Sequence, residues 1–167
     1  MCSQRFTLGG KVIAEELARI YDGIVAQPDE PAELHIQSTG GNLDAALDFY
    51  RAVREKHVPL KTFAYGNASS AAFIVLMTGT ERTACRKVKC QLHESSQEIA
   101  VPQSLNQDLI QQIGEHLREV DRKFAEIVAT ESGGTLQVSE VLAMMKEERV
   151  LGLDDLLKYK LIHRATI

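Results

Sequence analysis

The chain has 167 residues, 44% of them hydrophobic and 25% charged, which suits one domain with its own core (residues 1–167). A formal charge of −4, no tryptophan and no basic stretch with interleaved aromatics give no basis for binding nucleic acid or an anionic membrane. The longest apolar run, Ala71 to Met77, is far short of the ~20 residues that span a bilayer. Met1 to Gly10 lacks the apolar core of a secretion signal, so a cytoplasmic protein is expected.

In chain order, Glu15 to Ala26 carries Leu17, Ile20, Ile24 and Val25 at helical spacing, and Pro28-Asp29-Glu30-Pro31 ends that helix. Leu34 and Ile36 alternate with His35 and Gln37 in a short strand that runs into Ser38-Thr39-Gly40-Gly41. Leu43, Ala46, Leu47, Tyr50 and Val53 recur as a second helix, closed by His57-Val58-Pro59, and Leu60 to Tyr65 is a strand. Gly66-Asn67-Ala68-Ser69 reads as a small-residue turn before Ser70 to Met77, a helix apolar on every side and therefore expected in the core. Thr83 to Cys85, then Val88, Cys90 and Leu92 in alternation, give two further strands ending at His93.

Strand–helix–strand units of this size imply an α/β fold with a largely parallel sheet and right-handed crossovers. From Leu105 to Thr130, apolar residues at steps of three and four describe one long amphipathic helix, which packs on its own domain or pairs with a partner subunit's copy. Gly133-Gly134 breaks it, Val138 to Lys146 is another helix, and Asp154 to Lys158 a last one before Leu161-Ile162. The cysteines, Cys2, Cys85 and Cys90, have no metal-ligand spacing and read as reduced structural thiols; neither metal nor cofactor is expected.

Two features carry chemistry. Gly40-Gly41 sits between a strand and a helix, where glycines allow a sharp turn and expose bare N–H groups; a plain tight turn is the alternative, and the phosphate-loop ending is missing. Ser70 opens a buried helix, where the positive end of the helix favours an alkoxide, although a serine there is far more commonly a helix cap than a nucleophile. His93 ends a strand expected beside the one that leads to Ser70. Together they supply a nucleophile, a base and backbone donors at Gly41 and Ala71, the parts needed for acyl transfer.

Leu34-His35-Ile36-Gln37-Ser38-Thr39-Gly40-Gly41 resembles the strand and Ser-Pro-Gly-Gly turn of the Clp protease proteolytic subunit. Gly66-Asn67-Ala68-Ser69-Ser70-Ala71-Ala72 is similar to its Gly-x-Ala-Ala/Ser-Ser-Met-Gly nucleophile motif, and the spacing from Gly41 to Ser70 matches without a gap. Cys90 to Glu94 resembles the family's Met-Ile-His-Gln segment, and Val150-Leu151 to Ile162 its C-terminal stretch. The resemblance spans about Arg5 to Ile162 and implies a ClpP/crotonase-like spiral of ββα units with a projecting handle helix at about 105–130.

By that resemblance Ser70, not Ser69, is the nucleophile, His93 the base and Gly41 and Ala71 the oxyanion hole. The family's triad aspartate falls on Glu148, with Glu147 and Asp154 as nearby substitutes, and Glu94 is placed to affect or compete for the His93 ring. The implied activity is a serine endopeptidase acting on peptides or unfolded proteins inside a homo-oligomeric ring, a heptamer or double heptamer. The chain begins near the family's first strand, so partnership with an ATP-driven unfoldase is not expected. The alternatives are a non-catalytic Clp-like subunit, a crotonase-like acyl-CoA enzyme, and a Ser–Lys peptidase using Lys87 or Lys89.

Overall fold

The computed structural model describes residues 4–27, 30–97 and 106–166. The readings placed on Cys2, Pro28, Asp29 and Leu105 fall outside them. Five parallel strands form the main sheet in the order β1 (Gln4–Val12), β2 (Ala32–Gly41), β3 (Leu60–Ala68), β4 (Glu81–Cys85) and β7 (Arg164–Thr166). Helices α1 (Ala14–Ala26) and α2 (Leu43–Glu55) make the first two crossovers. Helix α3 (Ala71–Met77) follows β3 directly. A second, two-stranded sheet pairs β5 (Cys90–Gln91) antiparallel with β6 (Val150–Leu151).

All seven residues of α3 have no exposed surface, as a helix without a polar face requires. Phe73 stacks on Phe124 of α4 (Gln107–Glu131), ring centroids 6.2 Å apart. Burying each large side chain of α3 contributes roughly 1.5–3 kcal/mol, so this short helix sits at the centre of the core. The long helix α4 has two halves. Val120, Phe124, Ala125 and Val128 are buried, whereas Leu109, Ile113 and Leu117 are only half-buried and Ile110 is exposed. Helices α5 (Val138–Lys146) and α6 (Leu153–Lys158) complete the chain.

One local expectation is corrected, and one strand has no counterpart in the sequence reading. Gly66 to Ala68 is not a turn: it continues β3, because Lys89 N–H donates to Gly66 O (2.7 Å) and Ala68 N–H to Lys89 O (3.1 Å). Backbone pairing there outweighs the weak strand preference of small residues. At the other end, the strand β7 forms from three exposed residues with no alternating pattern. It is held by pairing with β4 and by an Arg164–Glu81 ion pair (2.5 Å).

A buried ion cluster ties the layers together. Glu131, at the end of α4, accepts from Tyr50 Oη (2.6 Å) and Arg54 (2.6 Å) on α2, and from Arg82 (2.5 Å) on β4. Arg82 also donates to the carbonyls of Gly79, Glu131 and Leu161. Burial pulls the Arg82 guanidinium below its ordinary pKa, opposed by Glu131. Burial, reinforced by the bond to Glu131, pushes the Tyr50 phenol up to about 12.

Candidate active site

The site lies at the carboxyl ends of the parallel strands, where open α/β sheets hold their ligands. β2 delivers Gly40 and Gly41, and β3 runs straight into Ser69 and Ser70. Both glycines have positive φ (107° and 153°). A Cβ on Gly40 would lie 2.7 Å from Ser70 Cβ and 3.2 Å from Ser70 Oγ, and one on Gly41 would meet the Val12 carbonyl oxygen. The double glycine is what lets the β2 turn lie directly on the serine.

Ser70 stands at the N-cap of α3 without capping it. Its side chain makes no cap hydrogen bond, and its backbone adopts φ 53°, ψ −128°, far from the extended conformation of an ordinary N-cap. Positive φ in a serine costs on the order of 1–3 kcal/mol and persists where the surroundings impose it. Here Ser70 N–H donates to Gln91 O (2.9 Å) and Ser69 N–H to Ser38 O (3.1 Å). A sharp strand-to-helix turn of this kind exposes the hydroxyl instead of spending it on the helix. Ser69 does the structural work: it is buried, and its Oγ accepts from Gln91 N–H (2.9 Å). Ser38, also buried, accepts from Gly40 N–H (3.1 Å) and steadies the glycine turn.

His93 arrives on the segment that pairs with β3. The Lys89–Gln91 backbone runs beside Gly66–Ser70, and Leu92 N–H then donates to Arg149 O (2.9 Å). The imidazole Nδ1 lies 2.8 Å from the Glu94 carbonyl oxygen. A carbonyl can only accept, so in this bond Nδ1 is the donor, and Nε2 is the ring nitrogen left free of it. Ser95, two residues on, is anchored to α4: its N–H (2.9 Å) and Oγ (2.6 Å) both donate to Asp121 Oδ1.

Ser70, His93 and Gly41 line one cleft of about 290 Å³ between α2 and α4. Ser70 and His93 share this cleft without a hydrogen bond between them; catalytic contacts are often loose in unliganded enzymes. Ala71 N–H, the first of α3, has no acceptor among the described residues. Lys87 and Lys89 do not line the cleft, whereas His93 and His116 both do. Cys90 is no rival nucleophile, since burial pushes its thiol up to about 12 and keeps it protonated.

Glu148 is not brought to the imidazole in this arrangement. It follows α5 with φ 51° and is exposed, and its carboxylate has no partner among the described residues. Its backbone is nonetheless well placed. Continuing the antiparallel pairing of Gln91 with Val150 past Leu92 and Arg149 sets residue 148 opposite residue 93. Neither Glu147 nor Asp154 lines the cleft. Sequence reasoning missed Asp121, and it missed His116 of α4, whose Nε2 lies 3.2 Å from Asp44 Oδ2 of α2 at the cleft. These pairs join positions 26 and 72 residues apart, and no spacing signal marks them.

A family model described as Clp protease matches residues 7–166. The chain belongs to the Clp protease family and is a ClpP-like peptidase. That family is generally oligomeric and acts on peptide or protein substrates. Among the described residues, no helix is long and apolar enough to cross a membrane.

Proposed function

We propose that this chain is a Clp-type serine endopeptidase in which Ser70 is the nucleophile and His93 the general base. The observation that carries the proposal is the uncapped, positive-φ Ser70 at the β3-to-α3 turn, pressed against Gly40 and open to a cleft shared with His93. A serine that only capped the helix would have extended backbone and a bonded side chain.

Ser70 Oγ attacks the scissile carbonyl while His93 Nε2 takes its proton. Gly41 and Ala71 N–H groups hold the oxyanion of the tetrahedral intermediate. The imidazolium returns the proton to the leaving amine, and a water then hydrolyses the acyl-enzyme by the same route reversed. Glu148 is the proposed acid of the triad: in the working state its carboxylate replaces the Glu94 carbonyl on Nδ1–H. Substrates are short peptides or unfolded proteins that enter a ring chamber in the cytoplasm.

Ser70→Ala abolishes cleavage of fluorogenic peptides and leaves the oligomer intact; cleavage at the parent rate overturns the proposal. Thioester turnover that survived this substitution would point to acyl-CoA chemistry instead. Glu148→Gln lowers kcat by a factor approaching ~10⁴, the usual effect of removing the acid's charge. An unchanged rate would assign the orientation of His93 to the Glu94 carbonyl alone.

A further inference from the structure

The active cleft carries a charge that the peptidase chemistry does not use. Among the described residues that line it, Asp44 is the only acid, and no lysine or arginine is present. The remaining wall is mostly hydroxyls, amides and imidazoles. Asp44 is fixed in the first turn of α2, three residues past Gly41, because Asn42 caps that helix by accepting from Ala45 N–H (3.0 Å). On the opposite wall His116 of α4 reaches Asp44 Oδ2 at 3.2 Å. The second oxygen, Oδ1, has no partner among the described residues. Each side chain of this pair is half-exposed or more (58% for Asp44, 50% for His116), so an arriving substrate can reach the carboxylate.

We propose that Asp44, braced by His116 across the cleft, is a specificity-determining residue that selects peptides with a lysine or arginine close to the scissile bond. This rests on the peptidase reading given above. A carboxylate with one oxygen held and one free offers a positioned acceptor to an ammonium or guanidinium. Among the described residues of the cleft wall, no lysine or arginine competes for it. An acidic substrate side chain in the same place meets like charge and, among the described residues of the wall, no lysine or arginine to offset it. The apolar part of the wall, Leu43, Leu117 and Val120, suits the methylene stem of a lysine or arginine whose head reaches Asp44.

The test uses the full chain and fluorogenic peptides that carry Lys, norleucine or Glu at each position beside the scissile bond. At one position the parent enzyme prefers Lys over norleucine by about tenfold in kcat/KM, the size expected of a charge-assisted hydrogen bond at a partly exposed site. Asp44→Asn brings that ratio to about one, and Asp44→Lys turns the preference toward Glu. A parent enzyme without a Lys preference at any position, or a preference that survives Asp44→Asn, overturns the inference. Covalent labelling of Ser70 by a fluorophosphonate separates the two layers. A labelled enzyme with no charge preference sinks the specificity alone; an unlabelled one that cleaves none of the peptides sinks the peptidase reading with it.

Discussion

A methyl group at position 40 would run into Ser70 and the Ser69 carbonyl oxygen, and the backbone there already sits at φ 107°. Gly40→Ala therefore displaces the proposed nucleophile without removing any group that takes part in the chemistry. Misplacing a reacting atom by about 1 Å costs around 10²-fold. The variant should lose that much kcat/KM in a peptide-cleavage assay while its circular dichroism stays that of the parent. Cleavage at the parent rate would mean that Ser70 is not the reacting group, or that the turn can yield. Ser69 is the contrasting residue: adjacent in sequence, its hydroxyl is committed to Gln91 N–H and is not available for attack.

The elements that deliver the site were largely readable from the chain because their signals are local. α3 follows from seven consecutive apolar residues, and Val88, Cys90 and Leu92 are all buried, as their alternation implies. Gly66 to Ala68 misled because what makes it strand is pairing with a segment more than twenty residues away, and its own side chains give no hint of that. The same holds for the pairs that frame the cleft, Ser95 with Asp121 and His116 with Asp44, which tertiary packing creates. Glu131 belongs to this class as well. It receives hydrogen bonds from α2 and β4, and its removal leaves two arginines without their common counter-charge, one of them buried. Glu131→Ala should lower stability by about 3–5 kcal/mol, read from the urea midpoint at unchanged slope. A loss below ~1 kcal/mol would show that the cluster contributes no more than an exposed pair.

Across the molecule, one end of α4 is built into the core and the other carries apolar side chains that the described residues leave partly uncovered. Ile110 is 56% exposed, with Leu109, Ile113 and Leu117 partly exposed beside it on a helix whose remaining surface is polar. In the proposed ring assembly this stripe pairs with a second copy and joins two rings. Ile113→Glu would place a charge in that seam and should halve the mass measured by light scattering while the fold persists. An unchanged mass would assign the stripe a different role. Leu117 and Val120 also line the cleft, so in the proposed assembly the seam and the cleft share one helix.

The most direct test of the account is to treat the purified protein with a fluorophosphonate and locate the adduct by peptide mass spectrometry. The account predicts a single adduct on Ser70, formed slowly or not at all in His93→Ala. An adduct on Ser69 or elsewhere, or none on a folded, assembled protein, would contradict it.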